Sequence, residues 1–176
     1  MPPRNFAPYD AGGMSILEVG APASHFTLLG LDGREYSLPG SLGGRPAVLI
    51  FCKTSCATCD LAFPYFEQLR EVYPEGWDLW VISQDAPDRS TAYAKRFGIT
   101  YPMLIDAPEF VVSRLYDPPA TPTVFLVDQD GRVEYTTYGF AKEDLNEVAA
   151  RIAGHVGADV IVIAPENDGN PAFKPG

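Results

Sequence analysis

Ala47-Val48-Leu49-Ile50-Phe51-Cys52-Lys53-Thr54-Ser55-Cys56-Ala57-Thr58-Cys59 decides how this chain folds. Its first six residues are continuously apolar, the pattern of a strand buried on both faces in a parallel or mixed sheet. Beyond them, Leu61, Tyr65, Phe66, Leu69, Val72 and Tyr73 recur at three-to-four spacing, which predicts a helix over 57–73 with one buried stripe and a kink at Pro64. Cys56 therefore stands at a helix entrance where a central strand ends, and Cys59 lies one turn further in.

Working outward, Phe26 to Leu31 and Arg34 to Leu38 flank Asp32-Gly33 and predict a short hairpin ahead of the central strand. On the other side come a strand over 79–83, a helix from near Asp88 to Phe97, a strand over 103–105 and a helix near Glu109 to Tyr116. This alternation predicts βαβ units. Thr123 to Val127 and Val133 to Thr137 flank Asp128-Gln129-Asp130-Gly131 and read as an antiparallel hairpin. Leu145, Val148, Ala149 and Ile152 mark a last amphipathic helix that stops near Gly154. Val160-Ile161-Val162-Ile163 has strand character after the fold looks complete, so pairing with a sheet edge is expected for 159–164. Residues 1–15 read as a flexible N-terminal extension, 16–164 as the domain, and 165–176 as a flexible tail rich in Pro, Gly and polar residues.

At 176 residues the chain fits one domain, and 46% hydrophobic with 20% charged residues marks it as globular, able to bury a core without staples. The net charge of -10 repels phosphate backbones and anionic lipid surfaces, which excludes nucleic acid as an expected partner. No apolar run approaches the roughly 20 residues of a membrane helix, so no membrane insertion is expected. The first residues carry no secretory or anchoring pattern, which favours the cytoplasm, or an extracytoplasmic site if an anchor preceded them.

All three cysteines lie between positions 52 and 59, too close together for a secreted disulfide framework, and this clustering points to redox or metal chemistry. A helix entrance presents unpaired N–H groups and partial positive charge, which favour thiolate over thiol and make Cys56 the nucleophile of the Cys56-Ala57-Thr58-Cys59 pair. Lowering a thiol pKa from roughly 8.5 to about 7 corresponds to about 2 kcal/mol. The weaker basicity leaves only a few-fold net gain in attack, so Cys59, tethered three residues away, must supply rapid resolution of a mixed disulfide. Cys52, ending a buried strand, reads as a small hydrophobe. His25 and His155 read as surface residues, Trp77 and Trp80 as core or rim aromatics.

The chain resembles the thioredoxin superfamily, and within it the redoxin branch that contains TlpA/ResA-like thiol–disulfide oxidoreductases and AhpC/TSA peroxiredoxins. The resemblance rests on Val19-Gly20-Ala21-Pro22-Ala23-Ser24-His25-Phe26-Thr27-Leu28, the strand Val48-Leu49-Ile50-Phe51, the Cys56/Cys59 pair, Pro64, and Thr121-Pro122-Thr123-Val124-Phe125-Leu126-Val127-Asp128. It covers roughly residues 16 to 155, including a βα insertion between Leu79 and Tyr116. It implies an α/β thioredoxin-like fold with a central mixed sheet, an N-terminal β-hairpin and that extra βα unit. It also implies an enzyme that reduces or exchanges disulfides in a protein or small thiol partner, with Cys56 and Cys59 catalytic. Pro122 would be the cis-proline facing the disulfide, Thr121 would offer backbone groups to the partner, and no cofactor is needed.

The chain departs from the family pattern at Ser55, where relatives carry an aromatic, and at Cys52, where a Trp is common. Ile50 and Ala62 stand where relatives place a buried carboxylate, so deprotonation of Cys59 has no evident base. Two alternatives follow from the cysteines. A thiol peroxidase would use Cys56 as peroxidatic cysteine, but Lys53 stands where a Thr or Ser would activate the peroxide. A metal or iron–sulfur ligand set would use Cys52, Cys56 and Cys59, whose C-x3-C-x2-C spacing is that of radical-SAM clusters.

Overall fold

The computed structural model describes residues 16–176. The expected N-terminal extension over 1–15 lies outside the described residues. β1 (Phe26–Leu29) and β2 (Glu35–Leu38) form the antiparallel hairpin, with Phe26 opposite Leu38. A five-stranded sheet follows, built from β3 (Ala47–Cys52), β4 (Asp78–Ser83), β5 (Met103–Ile105), β6 (Thr123–Val127) and β7 (Val133–Tyr138), in the order β5-β4-β3-β6-β7. β3, β4 and β5 run parallel, while β6 and β7 are antiparallel to their neighbours, so the sheet is mixed. The unbroken apolar run Ala47–Cys52 occupies its centre, every residue buried.

Alternation along the strands sends side chains into two cores. Val48, Ile50, Cys52, Leu79, Val81, Val124 and Leu126 face α1 (Ala57–Val72), α2 (Pro87–Phe97) and α4 (Lys142–Val156). Leu49, Phe51, Trp80, Ile82, Phe125 and Val127 face α3 (Val111–Tyr116) and the hairpin. Edge-to-face contacts of Phe26 with Trp80 and Tyr116 clamp the hairpin onto this second face. Trp77 and Trp80 are both buried in the core. The fold is therefore the α/β arrangement that the alternation and the resemblance imply, with the extra βα unit falling within the stretch from β4 to α3.

Three expectations about the end of the chain need correcting. Helix α4 continues past Gly154 to Val156 and stops at Gly157, whose φ of 68° is the left-handed C-cap conformation. Residues 159–164 form no strand, because side chains take the place of a sheet edge. The Tyr73 hydroxyl accepts the Ile161 N–H and donates to the Asp159 carbonyl, and Asn146 accepts the N–H groups of Ile163 and Ala164. Residues 165–176, expected to be a loose tail, pack on the domain, and β9 (Phe173–Lys174) pairs antiparallel with β8 (Phe140–Ala141). Composition shows only that this segment is polar; its partners, Lys142 and Tyr65, lie far away in sequence.

Candidate active site

The loop between β3 and α1 is held before the helix begins. The Asp85 carboxylate accepts the Thr54 N–H at 2.7 Å, the Cys52 carbonyl accepts from Gln84, and the Lys53 carbonyl accepts from Cys56. Cys56 is the N-cap of α1, and its Sγ accepts the Cys59 N–H at 3.2 Å. A sulfur thus stands where Ser, Thr or Asp oxygens ordinarily satisfy the free amides of a helix start. Pro64 lies inside α1 and has no N–H to offer the carbonyl four residues before it.

From the other side, the loop before β6 brings Thr121 to Cys56. The Cys56 thiol donates to the Thr121 carbonyl at 3.1 Å, and the Thr121–Pro122 peptide is cis, as the resemblance implies. Cys56, Cys59, Thr121 and Pro122, separated by up to 66 positions, are therefore brought to one place.

The three sulfurs differ sharply in environment. Cys56 is half-buried, whereas Cys52 and Cys59 have no exposed surface. Partial burial opposes ionisation of Cys56, but hydrogen bonds from the Thr121 side chain, the Cys59 thiol and the N–H groups of Cys59 and Thr58 outweigh it, leaving its pKa below the ordinary thiol value. The Thr121 carbonyl suits only the protonated form, so ionisation breaks that contact. Burial pushes the Cys59 thiol well above the ordinary range, reinforced by its two cysteine neighbours. Cys52 is pushed up likewise, by burial and then by the Asp85 charge.

The two positions where relatives carry a carboxylate hold Ile50 and Ala62, both buried and apolar, so neither serves Cys59 as a base. Among the described residues, no three His, Cys, Asp or Glu side chains converge as a metal-holding cluster, and no helix is long and apolar enough to cross a membrane. Lys53, three residues before Cys56, supplies no hydroxyl for a peroxide.

Sequence reasoning missed one participant. The Thr58 hydroxyl, between the two cysteines, donates to the Pro175 carbonyl at 2.7 Å. Gly139, with φ of 73°, lies beside the same segment, and its N–H donates to the Pro122 carbonyl at 2.8 Å. A glycine just after β7 is the one local hint of a close backbone approach there.

Comparison with known proteins agrees with this geometry. The AhpC/TSA family model matches residues 19–136. The thiol–disulfide oxidoreductase ResA of Geobacillus thermodenitrificans is 33% identical over 136 residues, covering 76% of this chain and 77% of that protein. Its counterpart from Geobacillus kaustophilus is 33% identical over 134 residues, covering 74% and 76%. Among solved structures, a Chlorobium tepidum protein provisionally assigned as the thiol:disulfide interchange protein DsbE superposes with a TM-score of 0.72 at 25% identity, covering 80% of this chain and 99% of that one. A secreted Mycobacterium tuberculosis disulfide oxidoreductase homologous to DsbE superposes at 0.61 with 25% identity, covering 73% and 95%. With two thirds of its length matched by the family model and its cysteine pair at the mouth of α1, the chain belongs to the AhpC/TSA family, in the redoxin branch of ResA-like thiol–disulfide oxidoreductases.

Proposed function

We propose that Cys56 is the attacking sulfur and Cys59 the resolving sulfur of a dithiol–disulfide exchange with a protein or small-molecule disulfide, oriented by Thr121 and Pro122. The observation that carries this reading is the Cys56 sulfur at the N-cap of α1, accepting the Cys59 N–H while facing Thr121. The Cys56 thiolate attacks one sulfur of the partner disulfide, forming a mixed disulfide and expelling the other partner sulfur, which takes up a proton. Cys59 then gives up its proton and attacks the Cys56 sulfur. The Cys56–Cys59 bridge forms, the second partner sulfur leaves as a thiol, and two electrons have passed to the partner.

The environment of Cys59 changes between these steps. A charged, hydrogen-bonded Cys56 is among the groups that hold the Cys59 thiol protonated. Once Cys56 is tied up in the mixed disulfide, that charge is gone and Cys59 ionises more readily. Resolution therefore follows attack without a dedicated carboxylate, with water taking the proton. The supply of electrons that returns the bridge to the dithiol comes from an external dithiol.

The test is mass spectrometry of the mixed disulfide with Cys59→Ser, which retains the attacking sulfur and lacks the resolving one. Accumulation of a partner bound through Cys56 is the expected result. Failure of the unaltered chain to form a Cys56–Cys59 bridge under mild oxidant would overturn the reading.

A further inference from the structure

Building on that exchange reading, we infer that residues 173–176 are an internal strap lying in the place an extended polypeptide partner must take, so that the protein meets compact disulfides directly but polypeptides only after the strap lifts. The contacts are specific. Phe173 and Lys174 pair with Ala141 and Phe140, the Pro175 carbonyl takes the Thr58 hydroxyl at 2.7 Å, and the chain then passes over Gly139. At Gly139 a side-chain carbon would sit 3.0 Å from the Lys174 oxygen and 3.1 Å from the Gly176 nitrogen. At Gly176 one would sit 2.7 Å from Ala120 Cβ and 2.9 Å from the Thr121 oxygen. That oxygen is the acceptor of the Cys56 thiol. The strap thus touches a residue between the two cysteines, the corner at Gly139 and the Thr121 carbonyl, three sides of the surface a visiting chain would follow to Cys56.

The strap is built to release without unfolding the rest. Its hold is a two-residue ladder, the adjoining Lys142 N–H donated to the Ala172 carbonyl at 3.0 Å and one side-chain hydrogen bond, and Phe173 is 56% exposed. Upstream the segment is anchored firmly: Ile163 and Ala164 are buried, Lys142 Nζ donates to the Pro165 and Glu166 carbonyls, and it pairs with Asp168 at 2.5 Å. Tyr65 donates to the same carboxylate. Between anchor and strap lies Gly169 with φ of 85°, so lifting 171–176 sacrifices few buried contacts. A partner that needs the open form binds more weakly in proportion to the closed fraction, whereas a compact disulfide reaching half-exposed Cys56 bears no such penalty.

The experiment uses the full chain and two variants. Gly176→Val cannot fit against Ala120 and Thr121, and Asp168→Ala loosens the anchor from the far end. Two ratios are measured: turnover of insulin relative to hydroxyethyl disulfide with dithiothreitol as reductant, and Cys56 alkylation by a peptide-borne maleimide relative to iodoacetamide. Cys52 and Cys59 are sealed, so alkylation reports Cys56. In both variants the polypeptide arm is expected to rise about threefold or more while the compact arm stays within about twofold. Unchanged ratios in both variants, with cooperative unfolding retained, would overturn the strap. A raised alkylation ratio in chains that turn over neither disulfide would uphold the strap and defeat the exchange reading instead.

Discussion

Cys56 and Cys59 are three residues apart on one helical turn, yet one sulfur is tuned toward thiolate and the other is held as a thiol. The entrance of α1 offers the first sulfur amide donors and partial exposure. The layer beneath surrounds the second with apolar side chains, two other cysteines and the Lys53 backbone, where burial dominates, and burial likewise dominates at Cys52. The difference teaches that residue type sets the available chemistry while depth within one turn of helix assigns the role. On the proposed exchange, a pair so divided does not swap parts: the outer sulfur would meet the partner, and the inner one would act only once the outer has been consumed.

The largest test of that division is replacement of the outer sulfur. Cys56→Ser is expected to cut disulfide turnover on the order of a thousandfold or more in an insulin-reduction assay, with Cys59 unable to substitute. Next comes the seal itself. Phe63 is fully buried in the helix layer and contacts Phe66, Tyr93 and Phe97, so Phe63→Ala should cost about 3–5 kcal/mol in denaturant unfolding and speed alkylation of Cys59.

Alkaline stability gives a finer measure. Because the folded pKa values of Cys52 and Cys59 are raised, the stability they confer is present in full below the ordinary thiol value and is lost as pH rises above it, where only the unfolded chain ionises. Unfolding free energy should fall by about 1.4 kcal/mol per pH unit for each sealed thiol beyond about pH 9. Cys52→Ala removes one such thiol, so its curve should be shallower by that amount, and disulfide turnover should stay within about twofold.

The smallest expected effect concerns the outer sulfur's hydrogen bonds. Iodoacetamide labelling of Cys56 should show a midpoint below roughly 8.5 and weaken as pH drops through it. Thr121→Val keeps the carbonyl but removes the hydroxyl that favours thiolate, so the midpoint should move up. A midpoint unmoved by Thr121→Val would assign the tuning to the helix amides alone.

The central strand and the cysteine turn were readable because both signals are local. A six-residue apolar run buried on both faces and a stripe at helical spacing leave little freedom, and the hairpins and the βα insertion followed from the same periodicities. The run Val160–Ile163 misled for the same reason: β-branched residues promise a strand, but Tyr73 at the C-cap of α1 and Asn146 in α4 satisfy that backbone from over 15 residues away. The strap was invisible because its partners, Thr58, Gly139 and Thr121, are scattered through the chain and carry no pattern that mentions residues 173–176.

Periodicity and cysteine spacing alone were enough to determine a buried central strand, alternating βα units and a cysteine pair at a helix start, since burial preference and helix-end chemistry act over a few residues. Tertiary structure decided which sulfur is partly exposed, which carbonyl faces it, and that residues 173–176 lie beside Thr58, Gly139 and Thr121. Those outcomes depend on through-space distances between distant segments, and the desolvation and hydrogen bonds that follow from them exist only once the chain has closed on itself.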